Sequence, residues 1–377
     1  MILNNLRAAL TGDPVNIRIT GEKIADLSAV ALGAAAGSLS IDLEGATVLP
    51  GLINSHDHLD FNLFPALGDK TYKDYTEWGR YIHQHYKGEI DKVLKIPVEL
   101  REEWGIYKNL LCGVTTVVNH GKKIKTSNKH ITVYEDCQSI HSVRFEKKWK
   151  FSLNNPIKKR VTAAIHTGEG TDISAAEEID TLSSWNLLKR PVIGIHGVAM
   201  NEQQARAFKA LIWCPESNYF LLDRTARIDV LKSQVTVLFG TDSTLTGSWN
   251  IWEHIRLARK TAHLTDSELL DSITVNPARA WNMQNGEIAP YKDADVVVVR
   301  KKDAFLVNPE DILLVIHKGQ VVLFDGGLED QLNNIQHHEY SKVKVGVAVK
   351  HVRGNLPGLM DEIRHYNSGV VFPVYGK

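Results

Sequence analysis

The sequence predicts an α/β protein made of a (β/α)₈ TIM-like barrel and a small β-sandwich domain built from both chain ends. Apolar strand-like runs alternate with helix-like stretches through the middle of the chain, short alternating strands lie near both ends, and titratable residues directly follow several apolar runs. A length of 377 residues suits one large barrel with an appended domain. The expected boundaries are 1–48 and 286–326 for the two parts of the small β domain, 49–285 for the barrel and 327–377 for a C-terminal extension.

The small β domain is predicted from segments at opposite ends of the chain. Residues 15–19 and 38–43 alternate between apolar and polar side chains, as expected of half-buried strands. Late in the chain, 295–300 contains four consecutive valines and 312–324 has strand character on both sides of a Lys-Gly turn. We expect these segments to pair into one appended sheet, with the long middle of the chain inserted between them.

The middle of the chain alternates between candidate strands and candidate helices. The apolar runs are 46–53, 114–118, 161–165, 191–195, 210–213 and 235–239, and the helix-like stretches include 99–111, 174–185, 201–208 and 249–263. Continuous apolar strands separated by helices are typical of parallel strands buried on both faces. The third and fourth barrel strands are expected between 131 and 153, but no apolar run in this segment defines their positions.

Composition and charge exclude several classes of protein. The chain has 44 Lys+Arg and 44 Asp+Glu, and this zero net charge argues against general binding to nucleic acids or anionic membranes. A basic stretch at 147–160 lacks the pattern of a nucleic-acid module, so we interpret it as a solvated face. Three scattered cysteines predict reduced thiols in a cytoplasmic protein. We find neither a signal peptide nor an apolar run of ~20 residues that would span a membrane.

Titratable residues follow the ends of four separate apolar runs. They are His56, His58, His166, Glu169, His196 and Asp242. The catalytic residues of a (β/α)₈ barrel lie just after the C-terminal ends of its strands, so we expect these side chains to meet at one mouth. Side chains two positions apart on an extended segment face the same side, which directs His56 and His58 together.

This set of residue types predicts a metal site. Three imidazoles and one carboxylate suit Zn²⁺ or Fe²⁺ and leave one position for water, whose pKa a bound ion lowers toward ~7. Glu169 lies close to the candidate ligand His166 in sequence but not at the spacing of a further ligand, and this position suits a residue that carries protons. A second His-x-His pair, His83 and His85, lies in a helix-like stretch where i and i+2 diverge, and we interpret it as non-ligating.

Several motifs resemble those of the amidohydrolase superfamily. Residues 49–58 resemble its first-strand signature, 113–117 its second strand, 214–218 the Cys-Pro-x-Ser-Asn of strand seven and 240–243 the Gly-Thr-Asp-Ser of strand eight. His166-Thr167-Gly168-Glu169 is similar to the His-x-x-Glu of the mononuclear-metal branch. That branch contains cytosine, guanine and adenosylhomocysteine deaminases and triazine hydrolases. The resemblance runs from about residue 15 to 326.

The resemblance implies a ligand set and a reaction. His56, His58, His166 and Asp242 would bind one divalent metal, Zn²⁺ ahead of Fe²⁺, and Asp242 would also accept the proton of the attacking water. Glu169 and His196 would transfer protons and orient water or substrate. The implied activity is hydrolysis of a non-peptide C–N bond of a small molecule, by deamination of a heterocycle or by amide-like cleavage.

Four further residues are candidates for substrate contact. Phe61 lies in an aromatic segment after the first strand, Asn119 and His120 end the second strand, and Trp213 stands where many deaminases of this branch have a histidine. We expect a small-molecule substrate, with no nucleic-acid or membrane partner, and leave a homo-oligomer open. In the C-terminal extension, His337 and His338 lack a partner at ligand spacing and are interpreted as surface residues.

Two alternative functions remain. A binuclear hydrolase of the dihydroorotase or hydantoinase type would need a carboxylated lysine at strand four, and only Lys148 and Lys150, in a run of charges, lie near that position. A non-catalytic scaffold would not need six titratable residues at four strand ends. Both alternatives therefore rank below a mononuclear hydrolase.

Overall fold

The N-terminal fifty residues form five strands of a mixed sheet. The protein is described by a computed structural model that covers residues 1–33, 37–127, 130–332 and 335–376. The strands are β1 (Ile2–Ala8), β2 (Pro14–Thr20), β3 (Lys23–Ser28), β4 (Ser40–Asp42) and β5 (Thr47–Pro50). β1, β2 and β3 are an antiparallel meander, and β4 and β5 pair parallel with β1. The alternation at 15–19 predicted β2, whose Ile17 and Ile19 are buried on one face.

Eight parallel strands follow in the middle of the chain. They are β6 (Leu52–Asp57), β7 (Val114–Asn119), β8 (Thr132–Tyr134), β9 (Gln138–Ser142), β10 (Ala163–Thr167), β11 (Val192–His196), β12 (Ala210–Trp213) and β13 (Thr236–Phe239). β6–β8 form one sheet and β9–β13 another, each in chain order. The backbone N–H groups of Thr241 and Asp242 donate to the His56 carbonyl at 3.1 and 3.0 Å, which joins the end of β13 to β6.

Two of these strands lie where the sequence contains no continuous apolar run. β8 and β9 both fall within 131–153, the window expected to contain strands three and four. β8 is half-buried along its length, and β9 contains Gln138, Ser139 and His141. A short strand with this many polar positions produces no continuous hydrophobic signal.

The helices lie between the strands and around them. They are α1 (Tyr75–His85), α2 (Lys87–Leu94), α3 (Val98–Leu111), α4 (Trp149–Leu153), α5 (Ile173–Trp185), α6 (Glu202–Ala205), α7 (Pro215–Leu222), α8 (Ile228–Leu231), α9 (Ile251–Thr261), α10 (Asp266–Ser272), α11 (Val275–Ala280) and α12 (Leu356–Tyr366). The helix predicted at 201–208 ends at Ala205, and the one predicted at 249–263 ends at Thr261 because Ala262 adopts a left-handed φ of 57°. Within the described ranges, no helix has the length and apolar character needed to cross a membrane.

The end of the chain returns to the N-terminal sheet. Its strands are β14 (Val296–Val299), β15 (Ile312–His317), β16 (Gln320–Asp325), β17 (Tyr340–Val345), β18 (Ala348–Arg353) and β19 (Val374–Gly376). β14 pairs antiparallel with β5, and the order β19-β17-β18-β16-β15-β14-β5-β1-β2-β3, with β4 beside β1, gives eleven strands. The two chain ends therefore share one sheet, and strands after residue 327 continue it.

One close backbone contact fixes the segment that follows the His-x-His pair. Helix α3 packs against the short 3₁₀ helix Leu59–Phe61, and a Cβ built on Gly105 would lie 2.3 Å from the Leu59 carbonyl oxygen. That distance is far below van der Waals contact, so only glycine permits this approach. Leu59 directly follows His58, so the contact positions a candidate ligand.

We expect Gly105→Ala to lower the free energy of unfolding by about 1–3 kcal/mol, the usual cost of overpacking a filled interior. Gly88→Ala is the matched control, because Gly88 is an exposed residue of α2 whose added Cβ would meet nothing within 4 Å. That control should gain up to about 1 kcal/mol from helix propensity. Denaturant unfolding of both variants checks this, and equal stability of the two would contradict the close packing.

Candidate metal centre

Six predicted site residues lie at the ends of four parallel strands. His56 is in β6 and His58 directly follows it, His166 is in β10 with Glu169 just beyond, His196 ends β11, and Asp242 comes three residues after β13. The strand alternation directs His56 and His58 to one side and the intervening Asp57 to the other. The carboxyl ends of the parallel strands therefore bring these side chains together.

The donor atoms converge in two overlapping groups of three that share His56. One donor atom from each of His56, His58 and His166 lies within 4.8 Å of the others, and the same holds for His56, His196 and Asp242. Asp242 Oδ1 is 3.7 Å from both His56 Nε2 and His58 Nε2. The rings of His58 and His166 are parallel with centroids 5.5 Å apart.

Burial sets the charge state of these groups. Desolvation, with repulsion from His56, lowers the pKa of His58 to about 4, and burial places the pKa of His166 well below its ordinary value. Burial alone would raise the pKa of Asp242, but its interactions with His56, His58 and His196 outweigh this and hold the pKa below its usual range. Burial thus favours the neutral form of His58 and His166, while Asp242 is held as a carboxylate.

Hydrogen bonds orient two of the candidate ligands. His166 Nδ1 donates to the His141 carbonyl oxygen at 2.7 Å, which leaves the lone pair on Nε2. Asp242 Oδ2 accepts from Ser217 Oγ at 2.9 Å and from Thr246 Oγ1 at 3.2 Å. A partner on the second ring nitrogen is typical of metal-ligating histidines, because it fixes the tautomer.

The residues present fit a divalent metal ion. His56 Nε2 is buried and has no hydrogen-bond partner among the described residues, although an unpaired buried polar atom costs ~1–3 kcal/mol. Coordination would satisfy this atom. Three imidazoles and one carboxylate also form a donor set that Zn²⁺ and Fe²⁺ accept.

A chain of hydrogen bonds determines the tautomer of His196. The Trp213 indole N–H donates to Thr225 Oγ1 at 2.6 Å, so the Thr225 hydroxyl is free to donate to Asn218 Oδ1, 3.4 Å away. This orients the Asn218 amide so that its N–H donates to His196 Nδ1 at 2.8 Å. Since His196 Nδ1 accepts, the ring proton is on Nε2.

His196 therefore presents a hydrogen-bond donor, and Glu169 is its neighbour. His196 Nε2 lies 3.5 Å from Glu169 Oε1 and has no hydrogen-bond partner among the described residues. Burial, reinforced by the charge of Asp242, raises the pKa of Glu169 well above its ordinary value. A carboxyl with a raised pKa beside an N–H donor suits proton transfer and charge stabilisation better than it suits metal coordination.

The four predicted substrate-contact residues occupy different positions. Phe61 stacks on His58 with ring centroids 5.4 Å apart, and the His120 centroid is 4.5 Å from that of His166. Asn119 accepts from the Leu59 N–H and donates to the Lys122 carbonyl. Its amide therefore joins two loops.

Trp213 is fully buried, and its contact with Thr225 supports an indirect role through His196 in place of direct contact with substrate. A cavity of about 740 Å³ opens beside the other three residues and is lined by His58, Phe61, Asn119, His120 and His141. Its size falls within the range of small-molecule sites.

Sequence reasoning missed a buried network behind the site. Lys108 Nζ is 3.0 Å from Asp57 Oδ2 and 3.3 Å from Thr241 Oγ1. Asn109 donates to the same Asp57 oxygen at 2.8 Å, and Asn62 donates to Oδ1 at 2.8 Å. The available signal was the strand alternation, which turns Asp57 away from the two histidines and toward whatever packs behind β6.

The structure also shows the positions of the second His-x-His pair and of the two lysines considered for a binuclear site. His83 and His85 are exposed on α1, away from the cluster. Lys148 is exposed, and Lys150 Nζ lies 3.7 Å from the centroid of the Trp185 ring. Strand β9 contains no lysine. The carboxylated lysine that a binuclear site needs at the fourth parallel strand is therefore missing from that strand.

Two solved structures share this fold. Guanine deaminase from C. acetobutylicum superposes with a TM-score of 0.65 at 14% identity, covering 85% of this chain and 99% of that chain. Atrazine chlorohydrolase TrzN from Arthrobacter aurescens TC1, complexed with zinc, superposes with a TM-score of 0.64 at 18% identity, covering 85% and 94%. The α/β architecture is thus one already known from a guanine deaminase and from an atrazine chlorohydrolase complexed with zinc.

Sequence comparison identifies the family. A curated relative, the 5-methylthioadenosine/S-adenosylhomocysteine deaminase of Pyrococcus furiosus, is 24% identical over 78% of this chain and 87% of its own length. The model of the amidohydrolase family matches residues 115–322. Since that match spans more than half of the chain, the protein belongs to the amidohydrolase family.

Proposed function

We propose that the protein is a metal-dependent hydrolase that deaminates an amino-substituted heterocycle. The observation that carries this proposal is the meeting of three histidines, one aspartate, a buried glutamate and an N–H donor at the carboxyl ends of parallel strands. The names of the relatives support deamination ahead of amide cleavage, since they include a purine-nucleoside deaminase and a guanine deaminase. Hydrolysis of an amide-like C–N bond is the second candidate.

We also propose that the two parallel sheets are parts of one (β/α)₈ barrel. Their eight strands follow in chain order, and the His56 carbonyl links the first strand to the segment after the last. The eleven-stranded sheet would then be the appended β domain. This arrangement places the candidate site at the C-terminal face, where barrel enzymes hold their catalytic groups.

In this proposal His56, His58, His166 and Asp242 hold one divalent metal, with Zn²⁺ ahead of Fe²⁺. The ion would supply Lewis acidity and bring the pKa of a water molecule toward ~7. Asp242 has a further role, because a carboxylate beside the water position could accept a proton from the attacking water. Ser217 and Thr246 hold its second oxygen in place.

Glu169 and His196 act on the substrate side. Glu169 carries a proton in its buried position and would deliver it to the ring nitrogen or to the departing amine. His196 Nε2–H would donate to the substrate atom or water oxygen on which negative charge builds during attack. The tautomer fixed by Asn218 makes this donation possible.

The cavity beside His58 suits a planar substrate. Phe61 offers a ring face, and His120 Nε2 is a buried polar atom with no hydrogen-bond partner among the described residues. We assign Phe61 to stacking and His120 to a hydrogen bond with the ring. A screen of zinc-loaded protein against aminated purines, pyrimidines and pterins, with small amides as the comparison set, tests the substrate class by ammonia release.

His56→Ala and Asp242→Ala are each expected to abolish turnover and to reduce bound metal, because each removes one donor from the set. Metal content by elemental analysis and ammonia release check this. His83→Ala is the matched control, since His83 belongs to the exposed His-x-His pair on α1. Full turnover in either ligand variant would refute the assignment.

Glu169→Gln should keep its metal and lose a factor of roughly 10²–10⁴ in kcat, the usual contribution of a positioned acid–base group. Glu177→Gln, an exposed change on α5, controls for the loss of a carboxylate and should behave as the unmodified protein. A Glu169→Gln protein that purifies without metal would show instead that Glu169 is a ligand.

His196→Asn should bind metal nearly normally and turn over about 10²-fold more slowly, because one donor to the developing charge is lost. Asn218→Asp should reproduce part of this defect. A carboxylate at 218 accepts from Nδ1–H and so removes the proton from Nε2. Steady-state kinetics with parallel metal analysis checks both variants, and loss of metal from His196→Asn would make His196 a ligand.

A further inference from the structure

The fold brings three ligand-type side chains together in the C-terminal part of the chain, outside the site described above. We call Glu329, His337 and His351 the C-terminal cluster. Glu329 lies in the 3₁₀ helix Gly326–Leu332, His337 begins the 3₁₀ helix His337–Glu339, and His351 is in β18. We propose that the C-terminal cluster binds a second divalent transition-metal ion of the Zn²⁺ class.

The spacing of the C-terminal cluster matches a coordination sphere. One donor atom from each of its three residues lies within 4.8 Å of the others. His351 Nε2 and Glu329 Oε2 are 3.4 Å apart. Two ligands at 2.0–2.1 Å from a tetrahedral Zn²⁺ stand roughly 3.3–3.4 Å apart, so this pair already has the separation of two ligands on one ion.

His351 provides the observation that points to a ligand. Its side chain is 3% exposed and its ring stacks on Phe324, with centroids 4.3 Å apart and planes 13° from parallel. The stacking holds Nε2 toward Glu329, yet that nitrogen has no aligned hydrogen-bond partner among the described residues. An unpaired buried nitrogen is costly, and a metal ion between it and the carboxylate would satisfy both.

The second imidazole is held in a metal-binding tautomer. His337 Nε2 is 3.0 Å from the Leu332 carbonyl oxygen, and because a carbonyl only accepts, Nε2 carries the proton. The lone pair is therefore on Nδ1. Histidine ligands commonly donate their other N–H to a backbone carbonyl in this way.

An ion pair between Glu329 and Lys342 is the alternative explanation of the C-terminal cluster, and it accounts for fewer of its contacts. Lys342 Nζ lies 3.1 and 3.3 Å from the two Glu329 oxygens, so the carboxylate has a cationic partner without any metal. Lys342 is half-exposed and can turn to solvent, and it leaves His351 Nε2 unpaired. Two imidazoles with one carboxylate also favour Zn²⁺ and its neighbours over Mg²⁺ or Ca²⁺, which prefer oxygen ligands.

The test measures zinc content in the full chain, in a background that weakens the other site. Asp242→Ala protein is stripped with chelator, reloaded with zinc and desalted before elemental analysis. We expect this background to retain about one zinc per chain that is lost when His337→Ala or Glu329→Gln is added. Both changes are at half-buried positions, so the fold should survive them. Zinc should also raise the unfolding temperature of the background protein but not of these double variants.

His338→Ala is the matched control, because His338 is the exposed neighbour of His337 and belongs to no ligand-type cluster of the residues that the structure describes. It should retain the zinc and the thermal shift. Equal zinc content in the His337→Ala and His338→Ala proteins would overturn the proposal. So would a zinc-induced thermal shift that survives both His337→Ala and Glu329→Gln.

Discussion

The buried ion pair between Asp57 and Lys108 holds the candidate metal centre together. Both side chains are essentially inaccessible to solvent, and removing one partner of such a pair typically costs 3–5 kcal/mol because a buried charge is left alone. The pair connects β6 to α3, and the contact of Lys108 with Thr241 extends the connection to the segment after β13. His56, His58 and Asp242 all lie on these elements. Their mutual distances therefore depend on a charge pair that faces away from the site.

The sequence predicted the architecture correctly wherever a residue pattern is typical of a single kind of secondary structure. Five of the six apolar runs each correspond to one parallel strand, whereas the run 46–53 is divided between β5 of the mixed sheet and β6. The residues that follow four of these runs identified His56, His166, His196 and Asp242 as neighbours. β8 and β9 escaped placement because short, half-buried strands carry polar residues that resemble a loop. In place of the small β-sandwich that the sequence predicts, the structure has one mixed sheet of eleven strands. Strands after residue 327 are part of this sheet.

Other features depend on contacts between residues that are far apart in the sequence, and a local sequence pattern does not reveal such contacts. The Asn218 amide sets the tautomer of His196 across 22 residues, and the Glu329 carboxylate meets His351 across a similar separation. His337 was interpreted as a surface residue because its partners are remote in sequence. The sequence also gives no sign of backbone strain, yet His196 and Asp242 adopt left-handed φ values of 72° and 57°. Non-glycine residues rarely take this conformation, and strain of this kind concentrates at functional sites.

The pairing of β5 with β14 determines when β5 can be paired on both sides during synthesis of the chain. Pro50 and Val296 are register partners, so the N-terminal meander must wait for about 250 further residues before β5 gains its second neighbour. At ~5–20 residues per second, translation of that stretch takes roughly 12–50 s. Throughout this interval the nascent chain presents an unpaired strand edge of apolar residues, the kind of surface that invites aggregation. A chaperone that shields the first fifty residues while the ribosome completes the middle of the chain would therefore act at the point of greatest exposure.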